Sequence, residues 1–352
     1  MNRTFFCYAW RIGTWAKTHQ GPVFGVWVAL FFSALIALLQ WVGGVQSMLL
    51  VIIYGGAFGL LLLLWLAGRD RWNSWLARKF VRERFKNPRM GMLTTDEVKT
   101  EGRSEAFTPS DWQQSFQTTK TPVQFVGIGP KAHVESFGVD VVVNPLEEHY
   151  AETDLANQAR LKELTDFVRR GGVIVATGGL PFFWILDSAQ LSRGKRGFTG
   201  AFLSMYREIA SAPKVLVQGH DPRLASLLDT WLSKAFGVTT TLGDSREVKL
   251  RIVDDEYFRD LLPKDNDVTV SEFRAPVRCD SREAKLIPVV KADWRFGPSL
   301  EYTLECYPIA GVRYGIGYLV IFALRLGKEN KELVFNVMQR ILRKLKEKGR
   351  LD

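Results

Sequence analysis

The apolar pattern changes character along the chain. From Thr18 to Gly68 no Asp, Glu, Lys or Arg interrupts it. Two apolar blocks lie inside that stretch, about 22–42 and 48–67, with the polar break Gly43-Gly44-Val45-Gln46-Ser47 between them. Each is close to the ~20 residues that carry a helix across a bilayer core. The spacing predicts a two-helix transmembrane hairpin, with Gly55 and Gly59 as a small-residue step in its second span.

Past the second block, residues 71–85 (RWNSWLARKFVRERF) predict a helix with Trp72, Trp75, Leu76, Phe80 and Val81 on one side and cations along its edges. Residues 91–120 show no sustained period and read as a linker or peripheral strand region. From Thr121 short apolar runs alternate with helical patterns. Pro122–Ile128, Val139–Val143, Val173–Ala176, Lys214–Gln218 and Gly317–Leu326 read as buried strands, ended by Gly or Asn-Pro. Asp154–Arg170, Pro222–Phe236 and Asn330–Leu345 read as helices. Continuous apolar strands separated by helices predict an α/β domain, three-layered, with a mostly parallel sheet. Residues 238–316 are richer in strands and read as an insertion. The expected organisation is a segment at 1–21, the hairpin at 22–67, a basic juxtamembrane helix and linker at 68–120, and the α/β domain at 121–352.

Charge sharpens this picture. Residues 1–90 hold eleven Lys/Arg and two acids, which leaves 36 basic and 35 acidic residues for the rest of the chain. The net charge of +10 therefore sits beside the apolar blocks, and the C-terminal part carries no basic excess that would point to nucleic acid. Arg3, Arg11 and Lys17 precede the hairpin, and Arg69, Arg71, Arg78, Lys79, Arg82 and Arg84 follow it. The positive-inside rule then predicts an inner-membrane protein with both termini and the large domain cytoplasmic. Cys7, Cys279 and Cys306 are too far apart, and too odd in number, for a disulfide framework or a Cys-based zinc site.

Candidate chemistry clusters after the predicted strands, where ligands bind in open α/β sheets. Asn144-Pro-Leu-Glu147-Glu148-His149-Tyr-Ala-Glu152 places three carboxylates and a histidine beyond one strand. The group could bind a ligand or cation, pair as acid and base, or cap the next helix. Thr177-Gly178-Gly179 sits at a strand-to-helix elbow, with no Ser or Cys in the nucleophile position. Gly127-x-Gly129-x-x-Ala132 formally matches a dinucleotide fingerprint, but the following helix is nearly absent and Pro130 removes an amide, so a tight turn fits better. Arg193, Lys195 and Arg196 form a basic patch that reads as a solvated face.

The order of VDVVVNPLEEHYAE, a helix, GGVIVATGGLPFFW, and the late GYLVIFAL strand with its terminal helix resembles class I glutamine amidotransferase-like domains. The resemblance covers about 121–186 and 310–348 and implies a flavodoxin-like fold with a Cys-His-Glu triad. The elbow here holds Thr177 instead of Cys, and no histidine follows His220. The resemblance therefore implies a non-catalytic member that binds or scaffolds. Asn144, Glu147, Glu148, His149, Thr177, Gly178 and Gly179 would line the ligand pocket, with no catalytic residue, metal or cofactor. The partners would be the lipid bilayer, another membrane or cytoplasmic protein or a further copy, and a small-molecule ligand. Two alternatives stand beside this reading: a ligand-gated membrane effector, as in phage defence, and a hydrolase using Thr177 or a metal at Glu147, Glu148 and His149.

Overall fold

Five short apolar runs pair side by side in parallel to make one half of a nine-stranded sheet. In the computed structural model the described residues are 73–94, 112, 125–129, 131–145, 149–152, 159–179, 181–182, 184–187, 231–240, 248–253, 255–261, 269–270, 275–296, 302–324 and 331–352. Chain contacts divide the protein into two units, Met1–Phe80 and Val81–Asp352. Of the first unit only residues 73–80 are described. They belong to helix α1 (73–84), where the Lys79 ammonium lies 5.2 Å from the Trp75 ring centroid.

The expected spans at 22–42 and 48–67 lie outside the described residues. Among the described residues no helix is long and apolar enough to cross a membrane. The longest, α4 (Lys331–Lys348), carries charge through its last three turns and buries a single apolar face. The two-span, inner-membrane reading thus gains no support from the structure.

In the second unit the parallel half runs β2 (Phe125–Ile128), β1 (Met90–Leu93), β3 (Val141–Asn144), β5 (Val173–Thr177) and β13 (Gly317–Phe322). β1 lies where a linker or peripheral strand is expected, and it is an interior strand that pairs with both β2 and β3. Its Gly91 leaves room for the Ile128 and Val139 side chains, and a Cβ there would press on the Ile128 Cδ1 methyl and make it shift. The starts of β1 and β3 are tied together by Asp140. Its carboxylate accepts from Arg84 Nε at 2.8 Å and from the Arg89 amide at 3.0 Å.

The other half is antiparallel. β13 pairs with β12 (Tyr302–Tyr314), β12 with β11 (Ala284–Phe296), β11 with β8 (Val248–Ile252), and β8 with β9 (Thr269–Val270). Four neighbour pairings are parallel and four antiparallel, so the sheet is mixed and the expectation of a mostly parallel one is corrected. The reason is local. The strand-rich residues expected as an insertion form a hairpin of two 13-residue strands that continues the main sheet beyond β13. Among the described residues of that stretch, β7 (Val238–Thr240) and β10 (Pro276–Cys279) pair separately.

Strand alternation sets which helix covers which face. Helix α2 (Ala159–Arg169) ends at Gly171, φ 98°, with Gly171 N–H donating to Val168 O and Gly172 N–H to Phe167 O, a Schellman stop. Gly317 faces that helix end: a Cβ there would lie 2.0 Å from Val168 O. Its neighbour Tyr318 points to the opposite face, where its hydroxyl accepts from the Leu351 amide just beyond α4. Gly311, in register with Val320 on Tyr318's face, meets Leu351 Cδ1 in the same way. Helices α2 and α4 therefore lie on opposite faces of β13. Val334, Val337, Met338, Ile341 and Leu345 of α4 are buried with the strands' Val and Ile residues in the core.

Candidate functional site

The carboxyl ends of β3 and β5 adjoin, with Asn144 in register with Ala176. Both Asn144 and Thr177 are buried. The Thr177 hydroxyl donates to the Asn144 main-chain carbonyl at 3.0 Å, so its proton is committed to the backbone. A nucleophilic Thr177 needs an exposed hydroxyl and a base. The structure gives it neither exposure nor a proton to lose, and its role is to join two strand ends.

The chain then turns sharply. Gly178 (φ 79°) and Gly179 (φ 134°) hold left-handed backbone that glycine adopts without penalty, and the Gly179 amide donates to Phe322 O at 3.3 Å. Phe182 also has positive φ, 54°. For a bulky side chain this is an outlier worth on the order of 1–3 kcal/mol, kept only where surrounding packing enforces it. The packing is visible. Phe182 is buried, and its ring meets Trp231 edge-on at 4.7 Å. Trp231 opens helix α3 (Trp231–Phe236), and its indole N–H donates to Thr165 Oγ on α2 at 2.9 Å.

Beyond this elbow a second, two-stranded sheet forms. β4 (His149–Glu152) and β6 (Trp184–Asp187) run parallel, pairing His149 with Trp184 and Glu152 with Asp187. The segments leaving β3 and β5 are thus joined again a few residues later. Two acidic residues from different segments stand side by side in register. Of the expected pocket residues, Asn144, Thr177, Gly178 and Gly179 come together at one strand-end region, and His149 opens β4. Glu147, Glu148 and the basic patch at 193–196 lie outside the described residues. Asp187, Phe182 and Trp231 were missed from the sequence. WILD is too short for any period, and nothing local marks Phe182 as left-handed.

The Gly127–Ala132 motif is a tight turn. Its Gly129 and Ala132 carbonyls accept from the Arg160 guanidinium at 2.5 and 2.7 Å. A pyrophosphate cradle would need amides facing outward, whereas this turn presents carbonyls to a cation. Arg160 also pairs with Glu163 at 3.0 Å, and Glu163 accepts from the Val134 amide at 2.6 Å. These contacts pin the 3-10 turn Val134–Phe137 to α2 beside a cleft of about 320 Å³. Cysteine chemistry is unfavourable at the described thiols. Burial pushes the Cys279 thiol up, and buried Cys306 donates to the Ala292 carbonyl. Among the described residues no group of three metal-ligating side chains converges.

No family model matches the chain, and no curated protein matches it. Solved structures that it resembles are glycoside hydrolases. They include a β-galactosidase from Rahnella sp. R3 (12% identity, TM-score 0.36, 73% of this chain and 31% of that one). Another is a β-galactosidase from Bacillus circulans sp. alkalophilus (10%, TM-score 0.38, 75% and 31%). A third is an exo-β-1,4-mannosidase from Opitutaceae bacterium strain TAV5 (9%, TM-score 0.33, 73% and 34%). The chain spans about a third of the length of these enzymes. At such identity and TM-score the likeness defines neither a family nor an activity. The similarity to amidotransferase-like domains expected from 121–186 and 310–348 finds no counterpart among them. That assignment, and the non-catalytic binding and scaffolding function resting on it, are corrected here.

Proposed function

We propose that the chain is a hydrolase that works with paired carboxylates, Glu152 and Asp187, at the carboxyl ends of β4 and β6. The observation that carries this reading is the parallel register of β4 with β6, which pairs Glu152 with Asp187 at the far end of the two strands, three residues beyond the His149–Trp184 pair that follows the left-handed elbow. Two carboxyl groups in one site repel as anions, so one holds its proton at a pH where the other is ionised. The protonated partner donates to the leaving oxygen. The ionised partner activates water or attacks directly, which is the acid–base apparatus suited to glycosidic and related C–O bonds. In sequence Glu147 and Glu148 directly precede His149, the first residue of β4, and these three would bind and orient the substrate. Gly178 and Gly179 let the backbone of the elbow approach it without side chains in the way. Thr177 contributes structure, through the Asn144 carbonyl.

The test is hydrolysis by the full chain of a panel of aryl glycosides, aryl esters and aryl phosphates, repeated with Glu152→Gln, Asp187→Asn and Glu148→Gln. The proposal expects turnover of at least one panel member, a loss of about 10²–10⁴-fold in kcat for Glu152→Gln or Asp187→Asn, and activity that persists in EDTA. Full activity in both carboxamide variants would refute the assignment. Loss of activity in EDTA, restored by a divalent cation, would favour the metal version at Glu147, Glu148 and His149.

A further inference from the structure

A chain of edge-on aromatic contacts runs from the elbow to the far end of α2. Phe182 meets Trp231 at 4.7 Å, Trp231 meets Phe236 at 4.9 Å, and Phe236 meets Tyr314 at 5.2 Å. The Arg169 guanidinium then lies 5.6 Å from the Tyr314 ring centroid. Trp231 is the one member of this series bonded to α2 through a polar atom, its indole N–H on Thr165 Oγ. Thr165 in turn donates its own proton to Leu161 O at 2.7 Å, which fixes the hydroxyl with a lone pair toward Trp231. The direction of that bond is therefore set by the helix.

We infer that Trp231 is a positioning residue for the elbow: held in place by Thr165, it keeps Phe182 in left-handed backbone and so keeps Gly178 and Gly179 facing the strand-end site. A left-handed Phe relaxes to an ordinary conformation unless its ring is trapped. The ring is trapped by Trp231, whose own plane is oriented by the bond to α2. Helix α2 is fixed to the sheet at its C-terminal end through Gly317 and Tyr314, so the elbow is referenced to the rigid part of the fold. This inference rests on the site placement proposed above, although the packing relation it uses does not depend on any activity.

Two conservative variants test it in the full chain. Thr165→Val keeps both rings and leaves the indole N–H without that acceptor. Trp231→Phe keeps a ring against Phe182 and removes the donor. Hydrogen exchange of the Gly178, Gly179 and Phe182 amides is compared with that of Val337 and Met338 in the core of α4. Each variant should speed exchange at the elbow about tenfold, leave α4 unchanged, and add nothing when combined with the other. Unchanged elbow exchange, or the same acceleration in α4, would overturn the inference, since the second pattern marks only lost global stability. Where a panel substrate is turned over, both variants should lower kcat with KM held. If no panel member is turned over, the hydrolase reading fails while the exchange result still decides the positioning role.

Discussion

Removing the charge of Asp140 should loosen the entry of β1 and β3 into the sheet. Its side chain is 4% exposed and that of Arg84 is 16% exposed, with Nε to carboxylate oxygen at 2.8 Å. Asp140→Asn preserves shape but removes the ion pair, while the guanidinium keeps its bonds to the carbonyls of Val139 (3.0 Å) and Arg170 (3.4 Å) and its place over the Phe167 ring. Breaking a buried pair by removing one partner costs about 3–5 kcal/mol. The surviving carbonyl contacts and the partial exposure of Arg84 bring the expectation to about 2–4 kcal/mol. For a unit of this size each kcal/mol lowers Tm by roughly 2–4 °C, so a fall of about 4–16 °C is expected. Arg84→Met should cost a similar amount, with its lost ring contact included. The double variant should cost about 1–3 kcal/mol less than the two singles added together, because each single leaves the other charge stranded. Thermal melts followed by circular dichroism on the four proteins complete the cycle. Additivity within about 0.5 kcal/mol would refute the claim that the two groups act as one buried unit.

Other outcomes follow from single contacts. Gly317→Ala would place a methyl against the backbone carbonyls of Val168 and Gly172, at 2.0 and 2.3 Å, and should destabilise by about 1–3 kcal/mol or more in denaturant titration. Burial alone would raise the Asp352 carboxyl, but Arg313 and Lys285 outweigh it and hold that group below the usual aspartate range. A depressed carboxylate adds stability above its unfolded value that is lost as pH falls through its folded value. Melts in acid should therefore fall less steeply for Asp352→Asn than for the parent chain. Tyr318 is pushed up to about 12, chiefly by burial, and Tyr257 to about 12, chiefly by its bond to Glu347. A raised phenol favours the folded state below its unfolded value of 10.0 and loses that contribution as pH rises toward 12. Absorbance at the phenolate band should therefore show tyrosines that ionise well after the exposed ones, and stability should decline across the same window.

How much of this was legible in the chain depends on the length of each signal. The helix at 159–169 and the C-terminal helix carry enough turns for a one-sided apolar stripe. Val173–Thr177 and Gly317–Phe322 are runs rich in β-branched and aromatic residues, with glycine at a boundary. β1 was lost because Met-Gly-Met-Leu is four residues with a central glycine, and its identity as a strand comes from Ile128 and Val139 packing into the space Gly91 leaves. The hairpin 284–314 was legible as strands but not as part of the main sheet. Sequence alternation says nothing about which neighbour a strand chooses, and here β12 chose β13. At the site, Asn144 and the Thr177–Gly179 turn could be located by the rule that loops after strands carry ligands. The partnership of Glu152 with Asp187 could not, since it depends on the register between two four-residue strands 32 residues apart.

The most direct test of the account is the pH dependence of hydrolysis by the full chain and by Asp187→Asn, on whichever panel substrate is turned over. Paired carboxylates predict a bell-shaped kcat/KM profile for the parent chain, with both kcat/KM and one limb of the bell lost in the variant. Turnover by Asp187→Asn with an unchanged bell would contradict the account, as would a parent chain that hydrolyses no panel member.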